Sequence, residues 1–190
     1  HLHGGGKRLR ALLPLRVAES LGHSSTELVP FGAACEMLHN ATLVHDDLQD
    51  GDRMRRGRPT LWSRYGAAPA INAGDAMFYY AVLLLQRLDV PSERREAATR
   101  RLLLDTLCVI EGQERELALR EEERPSIDAY LAMVEGKTSG LFALPMAGAA
   151  ELCGASAEVV AGLEDAARHM GVLFQIQDDS LDLFGDQGQE

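Results

Sequence analysis

The chain has 190 residues, a net charge of −10 and 46% hydrophobic residues. That length suits one domain with a sizeable core, the hydrophobic share excludes a disordered chain, and the acidic balance argues against nucleic acid as a partner. No secretory signal is visible, and the longest unbroken apolar run, Ala76 to Leu85, is half of the ~18–20 residues that a bilayer span needs, so no integral membrane protein is expected.

Helical periodicity dominates and no strand alternation stands out. The chain opens on His1-Leu2-His3-Gly4 without an initiator Met, so its beginning reads as cut. A basic, Leu-rich helix is expected from near Lys7 to Gly22. Ser24-Ser25-Thr26-Glu27 has the spacing of a capping box. A long apolar helix follows, roughly from Phe31 to Asp50. Gly51 to Pro59 reads as a polar, arginine-rich loop, and Pro59 suits the first turn of a short helix through Tyr65. A buried helix is expected over Ala67 to Leu88, broken at Pro91-Ser92, then a long amphipathic one over Glu93 to Glu122. Ser126 can cap a helix that is interrupted near Gly136 to Gly140. Gly154 ends the next stretch, Ser156 can cap the last helix, and Gly185 is its expected stop. The expected architecture is an all-α bundle of about eight helices in one domain spanning 1–190.

Two acidic clusters share one spacing: Asp46-Asp47-Leu48-Gln49-Asp50 and Asp178-Asp179-Ser180-Leu181-Asp182. On a helix the first and last aspartates of each lie four residues apart, on one face. Like charges so placed cost roughly 0.2–0.5 kcal/mol per pair. A bound cation would offset that cost, and hard carboxylate oxygens with spare coordination positions suit Mg²⁺ bridged to substrate phosphates. His39, Leu43, Asp46 and Asp50 fall on one stripe of the same helix. Glu36-Met37-Leu38-His39 matches the Glu-x-x-His of di-iron bundles, but that motif should occur twice and no second copy exists.

Basic segments accompany the acidic ones. Arg53, Arg55, Arg56 and Arg58 follow the first cluster, and Gly4-Gly5-Gly6-Lys7-Arg8-Leu9-Arg10 combines close backbone approach with cations for phosphate oxygens. That run lacks the spacing of a Walker A loop. Lysine and arginine together number 19, yet only Lys7 and Lys137 are lysine. Such retained lysines suit places that need a compact ammonium, as at a phosphate. Cys35, Cys108 and Cys153 lie far apart with no C-x-x-C pair, as expected of small buried residues in a reducing cytoplasmic setting.

In chain order stand Gly-Gly-Lys-Arg-Leu-Arg at 5–10, His39, Asp46-Asp47-x-x-Asp50, Arg55-Arg56-Gly57, Gly74-Asp75, Gly112-Gln113, Lys137-Thr138 and Phe174-Gln175-x-x-Asp178-Asp179-x-x-Asp182. This series resembles the trans-prenyltransferases, the head-to-tail isoprenyl diphosphate synthases of the polyprenyl synthetase family, over essentially the whole chain. The resemblance implies an isoprenoid-synthase-type helical bundle with a central apolar cavity. It implies that Asp46, Asp50 and Asp178 bind Mg²⁺ on an allylic diphosphate, with Asp47, Asp179 and Asp182 supporting. Arg55, Lys137, Thr138 and Gln175 would contact that diphosphate, and Lys7, Arg10, His39 and Arg56 that of isopentenyl diphosphate. The implied chemistry is ionisation of the allylic C–O bond followed by chain elongation, in a homodimer.

Ala11 stands where the family usually has Pro, and Glu116 where it commonly has Asp. The family also normally continues past Gly185-Asp186, so the chain is expected to be incomplete at both ends. By the same resemblance the growing tail runs beside the first aspartate helix. Ala41 and Thr42 are small there, and Leu38, Met77, Phe78, Tyr79 or Tyr80 could form the floor, for a product of about C20, with C15 or longer as alternatives. A terpene cyclase of the same fold should lack the second set of cations. A non-catalytic partner subunit should have lost aspartates, and all six are present.

Overall fold

The computed structural model describes residues 7–184, with side chains to Leu181. Eight α-helices carry the described chain: α1 (Leu9–Ser20), α2 (Val29–Gln49), α3 (Leu61–Tyr65), α4 (Ala67–Leu85), α5 (Ser92–Arg120), α6 (Ile127–Val134), α7 (Gly140–Cys153) and α8 (Ala157–Phe184). Helix α2 presents Phe31, Ala34, Cys35 and Leu38 to the core at i, i+3, i+4 and i+7, where they meet Leu85 of α4, Leu102 of α5 and Leu144 of α7. Helix α7 is buried on every side from Leu141 to Ala150, as befits the apolar axis of a bundle.

Local chemistry sets several ends. Ser126 Oγ accepts from Ala129 N at 3.1 Å and starts α6. Gly154, at φ 75°, closes α7 in the left-handed conformation that glycine adopts freely. The expected stop at Gly185 lies outside the described residues.

Three local expectations are corrected. Ser24 makes no capping box. Its hydroxyl pairs with Thr26 Oγ1 at 2.7 Å, and Ser25–Leu28 wind into a 3₁₀ turn instead. Pro59 does not open α3, because it ends a short strand. The arginine-rich loop is a hairpin, β1 (Met54–Arg55) against β2 (Arg58–Pro59), with Arg55 paired to Arg58. Its two-residue turn, Arg56-Gly57, has φ of 51° and 71°, the doubly positive geometry of a type I′ turn.

Helix α4 also differs from its sequence reading. As a whole its 19 residues, with a mean hydropathy of 1.2, are long and apolar enough to cross a membrane. One face packs on α2, while Tyr79, Tyr80 and Leu83 stand exposed, as do Leu103, Leu107 and Ile110 of α5.

Between α5 and α8, Asp105 has a buried carboxylate oxygen with no partner, and burial pushes its pKa up to about 6 from 3.8. The folded state therefore holds the proton more tightly than the unfolded chain. Stability from this group falls as pH rises from about 4 to about 6, and the cost is fully present above that window. Asp105→Asn is expected to stabilise the protein by about 2 kcal/mol at neutral pH, with the gain vanishing toward pH 4. Urea titrations at several pH values check this, and a pH-independent gain would contradict it.

Candidate active site

The C-terminal turn of α2 points its three aspartates at different partners. Asp46 lies among Lys137, Asp50 and Glu116, and its carboxyl rises to about 6, chiefly through burial. Asp50 accepts from Arg120 of α5 at 2.8 Å. Asp47, one residue round the helix from Asp46, is 1% exposed and accepts from Arg55 Nε across the hairpin. Asp47 thereby holds Arg55. His39, Leu43 and Asp46 run along one unbroken helix, and the stripe meets different neighbours along its length: His39 lines one cavity, Leu43 lines another against the hairpin, and Asp46 lies near Lys137.

Lys137 and Thr138 sit in a π-helical turn, Glu135–Ser139, between α6 and α7. Such one-turn π segments commonly mark functional sites. Two glycines explain how it is held. A Cβ on Gly112 of α5 would overlap the Lys137 backbone nitrogen, and one on Gly171 of α8 would sit 2.8 Å from Ser139 Cα. The turn is thus gripped backbone to backbone from both sides. Lys137 Nζ donates to Glu116, which also accepts from Arg120 at 2.7 Å. One turn before Glu116, Gln113 is buried with both amide atoms unpartnered.

In the second cluster the aspartates again diverge. Asp178 lines a basic cavity with Lys7, Arg10, His39 and Arg56. Asp179 accepts from Tyr130 of α6 and, at 2.8 Å, from Gln175 Nε2. Gln175 Oε1 in turn accepts from Thr138 Oγ1 at 3.0 Å. Burial and the bond to Asp179 raise the Tyr130 phenol to about 12, so it stays protonated and donates. The side chain of Asp182 lies outside the described residues, as do Gly4, Gly5 and Gly6.

The basic cavity has a volume of about 390 Å³. Burial, then Arg10 and the other nearby arginines, drive His39 well below its ordinary pKa, so the ring is neutral. Arg10 can only donate, at 3.3 Å, so His39 Nε2 accepts and the ring proton sits on Nδ1. That Nδ1 and Arg10 Nε are both buried without partners. Both atoms are sealed from solvent behind the cavity wall, and it is the cations gathered along that wall, Lys7, Arg10 and Arg56 among them, that suit the cavity to an anion.

Among the described residues no three acidic, His or Cys side chains gather into a ready metal cage. The hard oxygens of Asp46 and Asp50 nonetheless fit Mg²⁺, which takes few protein carboxylates and completes its shell with water and substrate phosphate. Four residues that build this site carried no assigned role in the sequence: Gln113, Glu116, Arg120 and Tyr130. The Gly-Gln pair signalled the first two, whereas Arg120 and Tyr130 carried no local signal.

A family model described as polyprenyl synthetase matches residues 1–190. The chain is 38% identical over 183 residues to a geranylgeranyl diphosphate synthase of Mycobacterium tuberculosis, covering 96% of this chain and 52% of that protein. It is 39% identical over 180 residues to a (2E,6E)-farnesyl diphosphate synthase of Mycobacterium bovis, covering 95% and 50%. The solved geranylgeranyl pyrophosphate synthetase of Geoglobus acetivorans superposes with a TM-score of 0.91 at 36% identity, over 94% of this chain and 58% of that one. The chain thus spans about half the length of the curated relatives it matches.

Proposed function

The chain belongs to the polyprenyl synthetase family, and from that footing we propose that it elongates an allylic diphosphate with isopentenyl diphosphate, head to tail. The observation that carries this reading is the basic cavity, where Lys7, Arg10, His39 and Arg56 converge. Those four residues bind the diphosphate of isopentenyl diphosphate. Arg55 and Lys137 hold the allylic diphosphate beside Thr138 and Gln175. As the allylic C–O bond breaks, the fixed charges of Lys137 and Arg55 stabilise the departing pyrophosphate. The double bond of isopentenyl diphosphate then attacks the allylic cation and a proton is lost. The buried helical walls exclude water, which would quench that cation. Mg²⁺, held by Asp46, Asp50 and Asp178, would neutralise further charge on the pyrophosphate.

The test is elongation by the full chain from dimethylallyl, geranyl or farnesyl diphosphate, with Mg²⁺ and with EDTA, read by mass spectrometry. Mg²⁺-dependent elongation supports the proposal. A folded protein that elongates none of them would overturn the proposal, and binding of a prenyl diphosphate without turnover would then favour a non-catalytic partner subunit.

A product near C20 is part of the proposal. Ala41 is fully buried, Thr42 is small and bonded to its own helix, and Leu38 sits in the core one turn deeper. Phe78 packs against the same core, which favours it as the floor, whereas Tyr79 and Tyr80 are 73% and 59% exposed. Phe78→Ala is expected to lengthen the product by at least one isoprene unit, and an unchanged length would remove Phe78 from the floor. The exposed apolar faces of α4 and α5 support a homodimer joined through them. Three free cysteines support a cytoplasmic setting.

The hairpin offers a separate check. Arg56 holds a left-handed conformation that costs a non-glycine residue about 1–2 kcal/mol, and Asn before Gly is the preferred type I′ pair. Arg56→Asn is therefore expected to raise stability slightly while increasing KM for isopentenyl diphosphate roughly 10–100-fold through loss of a charged contact. Equal KM values in the two proteins would remove Arg56 from that site.

A further inference from the structure

Tyr130 stands outside every motif, on α6, 49 residues from the aspartate it contacts. Its hydroxyl donates to Asp179 Oδ2, and Gln175 Nε2 donates to Asp179 Oδ1 at 2.8 Å. Both oxygens of Asp179 are thereby engaged, so this carboxylate is held in one orientation. The amide of Gln175 is fixed in consequence. With its NH₂ spent on Asp179, its oxygen faces Thr138 and takes the Thr138 proton at 3.0 Å. Thr138 is 4% exposed and adjoins Lys137 in the π turn. Its hydroxyl proton is committed, so it has only lone pairs to offer its surroundings.

The order of donors therefore runs in one sense, from Tyr130 and Gln175 onto Asp179 and from Thr138 onto Gln175. Without the phenol, Asp179 can turn away from Gln175, and the amide, no longer held by that acceptor, can reverse. Gln175 would then present NH₂ to Thr138, and the Thr138 proton would be released toward the reaction space. A cation forming there meets a lone pair in the first arrangement and a proton in the second, and only the first favours it.

We propose that Tyr130 is a positioning residue for ionisation: through Asp179 it fixes the Gln175 amide and so the polarity that Thr138 presents beside Lys137. This rests on the elongation activity proposed above. Tyr130 touches no reacting atom in this scheme.

The test is a double-mutant cycle in the full chain with Tyr130→Phe, Asp179→Asn and both. Asp179→Asn offers an NH₂ in place of one oxygen and should reverse Gln175 in the same way. Each single variant is expected to lower kcat about tenfold with KM for isopentenyl diphosphate unchanged, and the double variant to be no slower than Asp179→Asn alone. Thermal melts of Tyr130→Phe that match the parent exclude a folding defect. A kcat for Tyr130→Phe within twofold of the parent, or losses that multiply, would overturn the proposal. The side-chain amide resonances of Gln175, assigned by their loss in Gln175→Leu, give a readout free of turnover. They should move in Tyr130→Phe, and unmoved resonances overturn the proposal. If the parent elongates nothing, the activity fails as a reading, and these resonances alone decide whether Tyr130 sets the Gln175 orientation.

Discussion

Lys137→Ala is expected to lower kcat roughly 10²–10³-fold, the loss typical of removing one preorganised group that meets charge developing in a transition state. Lys137 is the only cation in the gripped π turn, and its ammonium is already oriented by Glu116. Glu116 retains Arg120 as a partner at 2.7 Å, but buried Asp46 loses its main counter-charge, so a modest loss of stability should accompany the change. Lys137→Arg should not restore the rate, because a planar guanidinium cannot occupy the position of a compact ammonium. Single-turnover kinetics with the allylic substrate, alongside thermal melts, make the comparison. A kcat for Lys137→Ala within about threefold of the parent would remove Lys137 from the chemistry.

Gly112→Ala should produce a comparable loss from a change that removes no functional group. The added Cβ would overlap the Lys137 nitrogen and the Gly136 carbonyl carbon, both backbone atoms with no rotamer to yield. Relief requires α5 or the π turn to move. Overpacking of this kind costs about 1–3 kcal/mol, and a displacement near 1 Å at a catalytic group can cost about 10²-fold in rate. Gly162 supplies the control, since a Cβ there meets nothing within 4 Å. In the interior of α8, Gly162→Ala should stabilise by about 0.5–1 kcal/mol and leave kcat alone. Parent-like kinetics in Gly112→Ala would mean that the backbone contact does not position Lys137.

The sequence disclosed what lies close along the chain. Helix α2 and the two acidic clusters were readable because the i, i+4 spacing of Asp46 and Asp50 is itself the geometry. The Ser126 cap and the Gly154 stop were readable for the same reason. The hairpin was not, since its strands are two residues long and its turn carries Arg-Gly where Asn-Gly would announce it. The partners of the aspartates were hidden by distance. Arg120 reaches Asp50 across 70 residues and Tyr130 reaches Asp179 across 49, and no local pattern records such pairings. Sequence alone does not assign rotation about α4, so Phe78, Tyr79 and Tyr80 read alike. Successive residues turn by about 100°, so one aromatic faces the core while its neighbours face out.

The π turn between α6 and α7 has a genetic consequence. A π segment is an α-helix carrying one extra residue per turn, and Ile127–Cys153 run without another interruption. Loss of a single codon from 135–139 would allow the α-helical ladder to close through the join. The product would be a more regular helix in an intact reading frame, yet everything upstream of the deletion would be turned by about 100° relative to α7. Lys137 and Thr138 would leave their partners, so a lineage could acquire sturdier helices there only by surrendering the site.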